Sequence, residues 1–117
     1  MDLNHYKDKI QKFADERNWE QFHTPKNLAM ALSGEVGELT EIFQWLSEEE
    51  SKNLSDKDLQ SAKEEIADIF IYLLRLSSKL NLDLEEAVIE KLKINAIKYP
   101  VELSKNNAVK YSKRNDE

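Results

Sequence analysis

Four carboxylates stand at positions where a helical reading of the sequence expects apolar side chains. Leu28, Ala31, Glu35, Glu38, Ile42 and Trp45 follow one another at spacings of three and four, an a/d-type seam with glutamates at two of its middle positions. Ala62, Glu65, Ile69, Tyr72 and Leu76 repeat the pattern, and Asp68 lies one turn from Glu65. Asp68 is also the only charge in IADIFIYLL, Ile66 to Leu74, a run apolar on every face and so suited to a helix buried on several sides. Ionised carboxylates at core-facing positions are costly unless something compensates them. Nearby basic residues are few: Lys63 precedes Glu65, and Arg75 lies a turn and a half past Asp68. A hard divalent cation supplies the compensation economically, because Mg²⁺ takes oxygen ligands and carboxylates at i and i+3 on facing helices can converge on one cluster. Glu35, Glu38, Glu65 and Asp68 are therefore the candidate metal ligands for Mg²⁺, with Mn²⁺ as an alternative occupant.

The glycines point to the same place. The chain has only two, and both fall in Gly34-Glu35-Val36-Gly37-Glu38, inside the helix that carries Glu35 and Glu38 by periodicity. Each costs a helix about 1 kcal/mol relative to alanine, a cost tolerated where a ligand or another backbone approaches closely. The plainer alternative is tight helix packing at small residues, with the glutamates simply solvated. A di-iron carboxylate bundle is a poor fit, since it needs two Glu-x-x-His pairs on bundle helices. Glu20 to His23 has that spacing but precedes Thr24-Pro25, outside a helix, and His5 is the only other histidine.

The elements that must hold these residues are helices. A first helix is expected from Asp2 or Asn4 to Arg17, with Tyr6, Ile10 and Phe13 as its apolar stripe, and a connection over 18–23 then carries Trp19, Phe22 and His23. Thr24 can cap free N–H groups and Pro25 suits the first helical position, so a second helix starts there and runs to about Leu46. A polar loop holding Glu48 to Glu50 follows. Ser55 or Asp56 caps a third helix that extends to about Lys79, and Asp83 with Glu86 reads as a capping box for a fourth. Pro100 stops that helix near Tyr99. The expected organisation is one domain over 1–100 and a polar tail over 101–117.

Composition narrows the function classes. With 117 residues, two glycines, two prolines, 40% hydrophobic and 34% charged residues, the chain is an all-α domain with enough apolar side chains for a core. There is no cysteine, which excludes disulfides, thiolate metal sites and cysteine nucleophiles. The start MDLNHYKDKI lacks the apolar stretch of a signal peptide and no apolar run reaches the length of a membrane span, so a cytoplasmic protein with no membrane partner is expected. The net charge of −6 argues against a nucleic-acid partner. The stretch from Leu32 to Asp68 alone carries −8, from eleven acidic residues against three lysines, which leaves the remainder slightly basic.

GEVGELTEIFQW followed by EEIADIFIYLLRL, with RNWEQFHTPKNLAMAL before and VIEKLKINAIKYP after, resembles the MazG-like, all-α nucleoside triphosphate pyrophosphohydrolases. It is similar in particular to their compact dCTP pyrophosphatase (dCTPase) branch, over roughly residues 10–100. The family pattern E-x-x-E, spacer, E-x-x-D falls on Glu35, Glu38, Glu65 and Asp68. The resemblance implies a four-helix bundle-like subunit of the all-α NTP pyrophosphatase type, assembled as a dimer or, as expected here, a dimer of dimers. It implies hydrolysis of a dNTP, with dCTP or a modified pyrimidine favoured, to dNMP and pyrophosphate in nucleotide-pool house-cleaning. Mg²⁺ would be held by the four acidic residues, and Glu38, Glu41 or Glu64 would orient the attacking water. Trp19 and Trp45 match tryptophans that line the base pocket, with Tyr72 facing the same site, although Trp45 also continues an apolar seam. Lys91, Asn95, Lys98 and Tyr99 match a C-terminal substrate-binding motif. Lys26, Asn27 and His23 match further substrate-binding positions, with Lys26 unable to make the bidentate phosphate contact of an arginine. The rival is a non-catalytic metal-binding helical scaffold or regulatory oligomer, which would bind a nucleotide without turning it over. The loop over 47–58 is short and acidic where relatives vary in length, and the tail after Pro100 has no motif to align.

Overall fold

The computed structural model describes residues 1–113, and every regular element among them is helical. The long helices are α1 (Leu3–Glu16), α2 (Pro25–Phe43), α4 (Asp56–Lys79) and α5 (Leu84–Lys98). Two single-turn helices, α3 (Glu48–Ser51) and α6 (Val101–Ser104), and short 3₁₀ turns at Glu20–Phe22 and Tyr111–Lys113 complete the series. The chain divides into two compact units, the first over residues 1–82 and the second from residue 83 onward.

Side-chain caps set the starts of the first unit's helices. Asp2 accepts from the His5 N–H at 3.2 Å, Thr24 from Asn27 at 3.2 Å with Pro25 in the first turn, and Ser55 from Asp58 at 3.2 Å. The ends of α1 and α4 close in the same way. Asn18 (φ 53°) and Asn81 (φ 55°) adopt the left-handed conformation that asparagine tolerates. Trp19 then donates back to the Ala14 carbonyl at 2.9 Å, and Leu82 to the Ser77 carbonyl at 2.8 Å. Both are Schellman closures, which satisfy the orphan carbonyls of a helix end and reverse the chain. The segment after α2 is not the plain loop the sequence suggests. Ser47 and Glu50 form a reciprocal capping box (3.1 and 3.0 Å), and the three glutamates 48–50 make the first turn of α3.

Helix α4 packs along α2 and also against α1. The shielded apolar residues are Ala14, Leu28, Ala62 and Leu74. Much apolar surface stays open: Leu59 and Ile66, seven residues apart on α4, are 58% and 57% exposed, and Met30 and Trp45 are exposed as well.

In the second unit Asp83 accepts from the Glu86 N–H at 3.0 Å to start α5, and the helix ends one residue before Tyr99, ahead of Pro100. The stretch after Pro100 holds α6. The Tyr111 N–H donates to the Tyr99 hydroxyl at 2.9 Å with the two rings edge-on at 6.4 Å. Of the tail expected over 101–117, residues 114–117 lie outside the described residues.

Candidate active site

Three of the four acidic residues converge. Glu35 and Glu38, one turn apart on α2, meet Glu65 of α4 with one carboxylate oxygen of each within 4.8 Å of the others. Glu35 and Glu65 are half-buried and Glu38 is exposed. One oxygen of Glu35 and one of Glu65 are buried without a hydrogen-bond partner. No salt bridge among the described residues reaches any of the four carboxylates. The crowding shows in protonation: Glu65 is pushed up to about 7, first by Glu35, which would accept a hydrogen bond from the protonated acid, then by desolvation and by Glu38. Asp68, one turn along α4, lies outside this triad and instead shares the wall of the adjoining cavity with Glu35. The donor set fits a hard divalent cation, being all oxygen, anionic, and including two buried oxygens that nothing among the described residues satisfies.

The cavity measures about 430 Å³, within the range of small-ligand sites. Glu35 and Asp68 supply its acidic side; Ile10, Phe13, Trp19 and Ile71 supply apolar and aromatic surface. Tyr72 also lines it, its hydroxyl pushed up by burial and by the charges of Glu35 and Asp68. Local structure explains how Trp19 and His23 arrive there. The closure of α1 at Asn18 turns Trp19 back beside Phe13, their rings 5.6 Å apart and 69° inclined. The Asn27 side chain then donates to the Phe22 carbonyl at 3.0 Å, tying the 3₁₀ turn to the start of α2 and fixing His23 between them. At the cavity lies Arg75, 3% exposed, bonded through its guanidinium to His23, Gln11 and Glu20.

Trp19, His23, Tyr72, Glu35 and Asp68 thus line one cavity. Other residues named from sequence lie elsewhere. Trp45 sits two residues past the end of α2, 86% exposed, and does not line this cavity. The expected extension of α2 to Leu46 fails because the helix ends at Phe43, which takes Trp45 off the seam. Lys26 and Glu41 are exposed on α2, and Glu64, exposed on α4, accepts from Gln60 at 3.3 Å. Asn27 spends its amide on the chain itself. Lys91, Asn95, Lys98 and Tyr99 belong to the second unit, where Tyr99 holds Tyr111. Sequence reading did not assign the rest of the lining to the site, Phe13 and Arg75 among them. Phe13 is a regular member of the α1 stripe, with nothing to set it apart. Arg75 does carry a signal, as a lone cation following the apolar run 69–74.

A family model described as the MazG-like family matches residues 30–113. The chain is 48% identical over 103 residues to dCTP pyrophosphatase 1 of Mus musculus and 44% identical to that of Homo sapiens. Each match takes in 86% of this chain, which spans 61% of the length of these relatives. A crystal structure of a pyrophosphatase from Archaeoglobus fulgidus superposes with a TM-score of 0.76 at 45% identity, over 80% of this chain and 87% of that one.

Proposed function

Because this chain belongs to the MazG-like family, we propose that it is a Mg²⁺-dependent nucleoside triphosphate pyrophosphohydrolase that converts a dNTP, with dCTP or a modified pyrimidine favoured, to dNMP and pyrophosphate in nucleotide-pool house-cleaning. The observation that carries this reading is the adjacency of a converging carboxylate triad to an aromatic cavity, with Glu35 common to both. A nucleotide has the same two-part character, an anionic chain that needs cations and a flat base that stacks.

Glu35, Glu38, Glu65 and Asp68 would hold the metal. When bound, Mg²⁺ neutralises phosphate charge and makes water more acidic. Trp19 stacks on the base, whose position sets where the α-phosphorus falls relative to the triad. Glu38 is the exposed member of the triad, whereas Glu41 and Glu64 stand outside it, which favours Glu38 as acceptor of the proton from the attacking water. The water oxygen bonds to the α-phosphorus, the bridge from that phosphorus to the β-phosphate breaks, and pyrophosphate leaves. Lys91, Asn95, Lys98 and Tyr99 keep, by resemblance, a role toward the phosphates and sugar.

The domain is read as 1–100 with the remainder as a tail, and the subunit as part of a cytoplasmic homo-oligomer, a dimer of dimers. The open apolar surface at Leu59 and Ile66 supports assembly. Light scattering that gave the chain mass of 13.7 kDa would overturn that assembly. Among the described residues no helix is long and apolar enough to cross a membrane. The reading of function is tested by incubating a panel of NTPs and dNTPs with Mg²⁺. One dNTP should give pyrophosphate and monophosphate, with activity lost in Glu38→Gln and Asp68→Asn; nucleotide binding without turnover would make the protein a scaffold.

A further inference from the structure

The carboxylate triad leaves unexplained a buried cation at the same cavity. Arg75 is 3% exposed, and each of its guanidinium nitrogens has a separate acceptor. Nε donates to His23 Nδ1 at 3.1 Å, one terminal nitrogen to Gln11 Oε1 at 2.5 Å, and the other to Glu20 Oε2 at 2.5 Å. Lys79 also pairs with Glu20, so the carboxylate is held by two cations.

A guanidinium only donates and stays protonated. The bond from Nε therefore requires a lone pair on His23 Nδ1, and the tautomer assigned by that bond is the neutral ring with its proton on Nε2. Burial and the charge of Arg75 hold His23 below its usual range, in accord with a neutral ring. Nε2 has no partner among the described residues, and His23 lines the cavity with its ring inclined 61° to Trp19 at 6.1 Å. The ring is thus a fixed donor beside the aromatic surface on which a base would stack.

We propose that Arg75 is a positioning residue that sets base selectivity: by locking His23 as an Nε2–H donor it makes the cavity require an acceptor at ring position N3 of the bound pyrimidine. Cytosine meets that requirement, because its N3 is a bare acceptor. Uracil and thymine carry a hydrogen on N3, and a donor facing a donor leaves both unpaired. Sites built on a fixed hydrogen-bonding group reject the wrong partner more strongly than pocket shape alone does. An imidazole freed from Arg75 exchanges tautomers and accommodates either edge. The inference rests on the nucleotide reading above and adds to it the residue that would choose the base.

The test uses product nucleotides, so that binding is read apart from turnover. Dissociation constants of dCMP and dUMP are measured for the wild-type protein, Arg75→Met and Arg75→Lys, with circular dichroism to confirm folding, and ¹⁵N NMR reports the His23 ring. The wild-type ring should show protonated Nε2 and bare Nδ1 at neutral pH. Its preference for dCMP should fall about tenfold in Arg75→Met, the worth of one lost hydrogen bond, with partial recovery in Arg75→Lys. A wild-type ring protonated on Nδ1, or a preference that a folded Arg75→Met leaves unchanged, overturns the proposal. The wild-type spectrum needs no variant, so a variant that failed to fold would not shield the idea. Absent turnover with dCMP binding intact would sink the hydrolase reading alone, whereas unmoved selectivity with normal turnover would sink this inference alone.

Discussion

Lowering the pH from 8 to 6 is expected to weaken divalent-metal binding about tenfold, because the cluster holds a proton that the metal must displace. The proton belongs to Glu65, pushed up to about 7 by Glu35 first, then by desolvation and Glu38. With a midpoint there, the group is about nine-tenths ionised at pH 8 and about one-tenth at pH 6, which gives the tenfold. The same titration governs the metal-free fold. The native chain keeps a proton that the unfolded chain, with an ordinary glutamic acid at 4.5, has already released. The group's stabilising contribution is therefore complete below about 4.5 and is lost as the pH rises through about 7. Bound metal cancels that loss, so its stabilising effect grows with pH. Calorimetric titration with Mn²⁺, run in buffers of differing ionisation enthalpy, counts the protons: about 0.9 released per metal at pH 6 and about 0.1 at pH 8. Glu35→Gln removes the main cause of the shift and should sharply reduce release at pH 6. Equal affinity at both pH values with no proton released would refute the reasoning.

Two further outcomes follow from the helices. Leu28 on α2 is buried, so Leu28→Ala should cost about 2–5 kcal/mol in denaturant unfolding, and a loss below about 1 kcal/mol would mean that the α2–α4 contact is not the core. Gly34 has nothing within 4 Å of where a Cβ would stand. Gly34→Ala should therefore raise stability by up to about 1 kcal/mol, and a lower melting temperature would instead reveal a surface packed against that face.

The sequence was most readable where the determinants are local. Thr24-Pro25, Ser55 and Asp83 mark helix starts because capping is a bond to a residue three positions on. The i, i+3 spacing of Glu35 and Glu38 puts both on one face of α2 for the same reason, whereas their meeting with Glu65 depends on how α4 packs along α2. Ser47 and Glu50 carried the same kind of signal, yet the density of glutamates made the segment read as loop. Trp45 shows the limit of periodicity, since a seam can be extended on paper past the point where the backbone leaves the helix. Arg75 lies 52, 64 and 55 residues from its partners His23, Gln11 and Glu20, so no local pattern could join them. Both glycines of the acidic motif have nothing within 4 Å of where a Cβ would stand, so packing among the described residues does not account for them.

Product analysis of dCTP hydrolysis in ¹⁸O-labelled water, with and without Mg²⁺, tests the central claim most directly. Attack at the α-phosphorus predicts Mg²⁺-dependent formation of dCMP carrying the label and of unlabelled pyrophosphate. Release of orthophosphate, or label in the pyrophosphate, would contradict the account.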